Sequence, residues 1–183
     1  MPRTIVILHP GGLGDLLLAV PAIGGLRERF PAHRLLLCGH EQAAELLVDC
    51  GLADRWISAQ ATGCTALFAG MPPDDVLLTD WLKRCDLSVA WTGDDEGRLA
   101  AALTGCGAAS VIVQSPFVST LKSVHQSERF VEILGGEPGS ASTRVLSLPH
   151  ATRAEGAAHL AVRGVPRERP LALVHPGSGS RHK

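Results

Sequence analysis

Three clusters of residues carry types and spacings suited to chemistry. The first is the loop Gly11-Gly12-Leu13-Gly14-Asp15, which follows the apolar run Thr4-Ile5-Val6-Ile7-Leu8 and the pair His9-Pro10. Glycines let the backbone approach a ligand closely, and a helix opening after the loop would aim its first N–H groups at whatever sits above it. No Gly-Lys-Ser/Thr follows, so this is not a nucleoside-triphosphate loop. Gly12 and Gly14 fit a dinucleotide fingerprint, but Leu17 stands where its third Gly or Ala belongs. Asp15 has two compatible readings. It can cap the helix, and a carboxylate fixed there can also take a proton at the mouth of a cleft.

The second cluster is His175-Pro176-Gly177-Ser178-Gly179-Ser180-Arg181-His182-Lys183. Backbone N–H groups and hydroxyls beside Arg181 and Lys183 suit a diphosphate; the competing reading is a basic tail. The third is Lys122-Ser123-Val124-His125-Gln126-Ser127-Glu128-Arg129-Phe130. On a helix, Lys122, His125, Gln126 and Arg129 fall on one side at three- and four-residue spacing. That basic stripe suits an anionic ligand or is a solvated face. Asp74-Asp75 and Asp94-Asp95-Glu96 read as acids at helix starts, where the dipole favours them. His33, His40, His150 and His159 share no spacing and read as surface residues, so no metal site is expected.

The elements that must position these residues alternate. Thr4–Leu8 reads as a buried strand. Leu16, Val20, Ile23, Leu26 and Phe30 recur with helical spacing, and Pro21 inside that helix predicts a kink. Strands are expected at 34–38, 55–58, 87–91, 110–113 and 171–174. Helices are expected at 41–48, 74–84, 95–103 and 123–134, the last with a capping box from Ser123 to Gln126. Residues 60–72 read as a loop. Strands alternating with helices predict an α/β Rossmann-like parallel sheet covered on both faces. The Gly, Pro and Ser of 135–150 mark a linker, after which Thr152 and Glu155 open a further helix. His175-Pro176-Gly177 then repeats His9-Pro10-Gly11 at a distance of 166 residues. The echo points to two similar domains in tandem: residues 1–136, a linker at 137–150, and the start of a second domain at 151–183. The sequence stops inside the second glycine loop, so a truncated chain is expected, without transfer activity on its own.

Composition narrows the classes. A 45% hydrophobic, 19% charged chain of 183 residues can build a core, and its formal net charge of −1 gives no global electrostatic case for nucleic acid. Its five cysteines form no CxxC pair and are odd in number, which fits reduced thiols in a cytoplasm. No stretch approaches the roughly 20 apolar residues of a membrane span.

Taken together, Ile7 to Leu17 with Pro21-Ala22 and Leu26-Arg27, His125 with Glu128-Arg129-Phe130 and Leu134-Gly135, and His175-Pro176-Gly177-Ser178 with Lys183 resemble glycosyltransferase family 9, the ADP-heptose:lipopolysaccharide heptosyltransferases. The resemblance implies a GT-B fold of two Rossmann-like domains, the first binding the acceptor and the second the nucleotide sugar. It implies an inverting, metal-independent transfer, with no cofactor beyond a nucleotide-sugar donor such as ADP-heptose. Asp15 would be the general base. Gly12, Gly14, Lys122, His125 and Arg129 would lie on the acceptor side, and Ser178, Ser180 and Lys183 would hold the donor phosphates. A lipid-linked glycan acceptor implies peripheral contact with the cytoplasmic face of the inner membrane. At Ser88–Gly93 the sequence departs from the family pattern, with Trp91-Thr92-Gly93-Asp94 in the segment implied to shape the acceptor pocket. Two further readings remain from other classes. One is a non-catalytic nucleotide- or sugar-binding module of the same fold; the other is a nicotinamide-dependent oxidoreductase, disfavoured by Leu17.

Overall fold

The computed structural model describes residues 2–117, 124–137, 146–165 and 172. The chain divides into two compact units, Met1–Ser147 and Leu148–Lys183. In the first unit the elements run β1 (Thr4–Leu8), α1 (Leu13–Leu18), α2 (Val20–Arg29), β2 (Arg34–Gly39), α3 (Glu41–Asp49), β3 (Arg55–Ser58), α4 (Thr62–Phe68), α5 (Val76–Leu82), β4 (Cys85–Ala90), α6 (Arg98–Gly105), β5 (Val111–Val113) and α7 (Gln126–Ile133). The second unit contributes α8 (His150–Val162). The expected strand at 171–174 and the loop that follows it lie outside the described residues, Ala172 excepted.

The five strands form one parallel sheet in the order β3-β2-β1-β4-β5, the expected Rossmann-like α/β architecture. Central β1 pairs with β2 and β4, and all five of its residues are buried. Such a strand has no solvent face, which is why it reads as an unbroken apolar run rather than an alternation. Ile5 and Ile7 point into one layer with Leu37, Leu16, Ile23, Leu47 and Phe130. Val6 and Leu8 point into the other with Leu36, Cys38, Leu78, Leu82 and Leu103.

Several local expectations are corrected. The first helix is two helices, α1 and α2, divided at Ala19. Pro21 occupies the first turn of α2, where its missing N–H costs nothing; in a continuous helix its ring would meet the carbonyl of Leu17. Residues 62–68 are helix rather than loop, because Gly63, Cys64 and Leu67 are buried in the second layer. Helix α7 begins at Gln126 with His125 as its N-cap, two residues beyond the expected cap Ser123, which lies outside the described residues. Helix α8 begins after Pro149, which puts Thr152 inside the helix rather than at its cap.

Candidate functional site

The site begins where β1 stops. The His9 N–H still donates to the Cys38 carbonyl at 2.8 Å, carrying the strand register one residue on. The chain then turns through Pro10 and Gly11, and α1 starts at Leu13 with Gly12 as its N-cap. Glycine has no side chain to offer, so the cap is made in the reverse sense. Asp15, in the first turn, accepts the Gly12 N–H on Oδ2 at 3.2 Å. Asp15 is therefore not the N-cap, since the extended backbone of Gly12 starts the helix three residues earlier. Its carboxylate still sits where the helix dipole favours negative charge. The side chain is partly exposed.

This loop borders a crevice of about 460 Å³ at the C-terminal ends of β1, β2 and β3, the end of a parallel α/β sheet where ligands bind. Gly11, Gly12, Gly39, His40, Ser58 and Gln60 are among its lining residues. At Gly39 a Cβ would fall 2.9 Å from a Leu16 methyl, so glycine is what lets β2 run this close under α1.

Beneath the loop lies a residue whose role the sequence did not disclose. His9 is 1% exposed. Its ring packs against Phe130, with centroids 5.6 Å apart, and against Trp91 at 6.0 Å. Trp91 in turn meets Phe130 edge-on at 5.0 Å. Neither ring nitrogen of His9 has a hydrogen-bond partner among the described residues, nor has Trp91 Nε1. Burial pushes the His9 pKa below the usual imidazole range, against smaller upward pulls, first from a backbone hydrogen bond at His9 and then from the Asp15 charge. Burial thus disfavours the charged ring. A signal was available: a histidine directly after a strand buried on both faces has no solvent side to turn to.

Of the other expected site residues, Gly12 caps α1 and Gly14 lies with Asp15 in its first turn. His125 is exposed at the start of α7, its Nδ1 2.7 Å from Ser127 Oγ. Gln126 donates to the Pro116 carbonyl at 3.0 Å, and Arg129 pairs with Glu132 at 2.7 Å on the same helix. Of the expected basic stripe, His125 and Arg129 are thus engaged within α7 and Gln126 ties the helix to Pro116. Lys122, Ser178, Ser180 and Lys183 lie outside the described residues. The acids expected at helix starts include real caps: Asp75 accepts from Leu78 N at 2.7 Å, and Asp94 from Leu99 N and Ala100 N. His150 and His159 are exposed. His33 is instead half-buried, its Nε2 2.8 Å from Asp86 Oδ2 in a hydrogen bond, because the turn after α2 folds it against the start of β4. Among the described residues no group of three or more His, Cys, Asp or Glu side chains could hold a metal ion, and no helix is long and apolar enough to cross a membrane.

No protein-family model matches the sequence, and no curated protein matches it. Solved structures do. The glycosyl transferase family 9 protein from Veillonella parvula DSM 2008 superposes with a TM-score of 0.69 over 99% of this chain and 56% of that one, at 15% identity. The fold is shared with a family 9 glycosyltransferase. The E. coli heptosyltransferase WaaC with ADP matches at a TM-score of 0.47 and 15% identity, over 80% of this chain and 48% of its own. The chain spans about half the length of the solved structures it matches, and at this identity the likeness is one of fold.

Proposed function

We propose that this chain is the acceptor-side part of a glycosyltransferase that moves a sugar from a nucleotide-sugar donor to a glycan acceptor, with Asp15 as general base. The observation that carries the reading is the placement of Asp15. Its carboxylate is partly exposed and tethered to the N–H of Gly12, a residue that lines the crevice at the end of the sheet where ligands bind. The shared fold with a family 9 glycosyltransferase supports it. In this reading the acceptor hydroxyl lies in the crevice beside the loop. Asp15 takes its proton as the oxygen attacks the anomeric carbon from the side opposite the leaving diphosphate, which inverts the configuration. Gly12 and Gly14 keep the loop thin enough for that approach, and His125 and Arg129 with Lys122 border the acceptor. A heptose donor, here ADP-heptose, and a lipopolysaccharide-core or related surface-glycan acceptor are the assignments the resemblance favours. Ser178, Ser180 and Lys183 would hold the donor phosphates. The work would take place at the cytoplasmic face of the inner membrane.

The test is Asp15→Asn in the full-length protein. The amide still accepts the Gly12 N–H, so fold and melting temperature should hold. General-base assistance is worth about 10²–10⁴ in rate, and turnover should fall by that order while donor binding persists. Turnover at the wild-type rate would reduce Asp15 to a stabiliser of α1 and leave the non-catalytic reading.

A further inference from the structure

We propose that the crevice beside the glycine loop takes an uncharged, hydroxyl-rich part of the acceptor, a neutral sugar ring, and turns anionic sugars away. This rests on the reading of the chain as the acceptor-side part of a glycosyltransferase, and it names the substrate class of that same site.

The lining is polar without being cationic. At about 460 Å³ the crevice lies in the size range of small-molecule sites. Its polar side chains are His40, Glu41, Gln42, Ser58 and Gln60, and no lysine or arginine lines it. Side-chain amides and hydroxyls both donate and accept hydrogen bonds. A sugar hydroxyl, itself donor and acceptor, asks that of its site. Gln42 and Gln60 are exposed, so their amides can turn toward a ligand. Pro10 and Ala59 add apolar surface for the C–H face of a ring.

Charge separates neutral from anionic sugars. An anion would be held here by a cationic side chain or by the N–H groups of a helix start. Two helices start at the crevice, since the N-caps Gly12 and His40 both line it. Each helix already carries a carboxylate in its own first turn, Asp15 in α1 and Glu41 in α3. Those carboxylates answer the positive ends of the helix dipoles, and Asp15 also takes the Gly12 N–H. Of the cations expected on the acceptor side, His125 and Arg129 are not among the lining residues, and Arg129 is paired with Glu132. A carboxylate or phosphate in the crevice would therefore meet the charges of Asp15 and Glu41 with no counter-charge from the lining, and like charges brought together cost affinity. A cationic sugar fails for a different reason. A positive charge beside Asp15 would lower its proton affinity, which is the property a general base needs. An uncharged ring avoids both penalties.

The experiment measures binding to the full-length protein with paired probes. These are the methyl glycosides of glucose, galactose and mannose, and the matching methyl uronides, in which a carboxylate replaces the primary alcohol. The readout is the shift of the Gln42 and Gln60 side-chain amide resonances on titration. At least one neutral glycoside should bind saturably, and its uronide should bind about five-fold or more weaker at low salt. Glu41→Gln should narrow that gap by strengthening the uronide. Gln60→Ala should weaken the neutral glycoside about three-fold or more, the worth of a neutral hydrogen bond. Uronides that bind as tightly as their neutral partners, or a gap that Glu41→Gln leaves unchanged, overturn the inference. So does the absence of saturable binding by every neutral glycoside. Turnover of Asp15→Asn keeps the two readings apart. Wild-type turnover in that variant sinks the general-base reading and leaves the preference for neutral sugars standing. Tighter uronide binding beside an impaired Asp15→Asn sinks only the preference.

Discussion

At the scale of single residues, the turn from β1 into α1 has three glycines in four positions, Gly11, Gly12 and Gly14, and they are not equivalent. Gly11 borders the His9 ring, which Trp91 and Phe130 hold in place. A methyl there meets a wedged ring rather than the end of a flexible chain. Gly11→Ala is therefore expected to lose about 1–3 kcal/mol, the usual range for forcing a group into a packed site, read as a lower melting temperature. Gly14 has nothing within 4 Å of its Cβ position and lies inside α1, where alanine is the better helix former by up to about 1 kcal/mol. Gly14→Ala should thus leave melting unchanged or raised. If the acceptor passes over this turn, the same variant should raise the acceptor KM. A Gly14→Ala protein that binds acceptor normally would take Gly14 out of the site. His9 adds a dependence on pH. Its pKa is lowered on folding, so its contribution is intact above the ordinary imidazole range and lost as pH falls through it, when the unfolded chain takes the proton first.

At the scale of elements, what could be read in the sequence depended on how far each signal was local. β1 was legible because a strand buried on both faces is apolar at every position. Asp75 was legible because capping is a matter of adjacent residues; Asp94 reaches Leu99 N and Ala100 N from beyond the Gly97 cap of α6. α4 was not. Thr62, Gly63 and Thr65 are weak helix formers, and only burial of Cys64 and Leu67 against the sheet makes the segment helical. The division at Ala19 was half legible: Pro21 announces that a helix cannot run through, but not that a new one starts one residue earlier, at Val20. The reading of Asp15 as an N-cap was off by three residues, since a glycine cap leaves no side chain to recognise. His9 was missed because isolation from partners is a property of the packed state. A direct check at this scale is Asp75→Ala, which removes the 2.7 Å bond to Leu78 N. It should cost about 1 kcal/mol, the usual worth of such a cap. Asp75→Asn should cost far less, and equal losses in the two variants would mean that the carboxylate charge, not the cap, is what α5 needs.

At the scale of the first unit, the two ends of the sheet differ in construction. The C-terminal ends of the strands open onto the glycine loop and the crevice. The N-terminal ends are tied together. Arg34 N donates to the Arg3 carbonyl, Thr4 N to the Arg84 carbonyl, and Leu35 N to Asp54, which also pairs with Arg27 at 2.9 Å. Asp86, on β4, completes the edge by accepting from Arg3, just before β1, and from His33, just before β2. The Arg3 guanidinium first, and the His33 ring second, hold the Asp86 carboxyl below the usual carboxylate range. The sign follows from linkage. With its pKa depressed on folding, Asp86 stabilises the protein fully above its unfolded pKa, and the contribution disappears as pH falls from there through the folded value. Partial exposure of the cluster keeps the contribution modest, about 1 kcal/mol or less. Asp86→Asn should therefore lower the melting temperature slightly at neutral pH, and the gap to wild type should close as the medium is acidified past the ordinary carboxylate range. Salt should narrow the gap as well. Turnover in the full-length protein should not change, because Asp86 lies at the end of the sheet away from Asp15. A melting gap that persists in acid would show that the side chain matters to this edge through packing rather than charge.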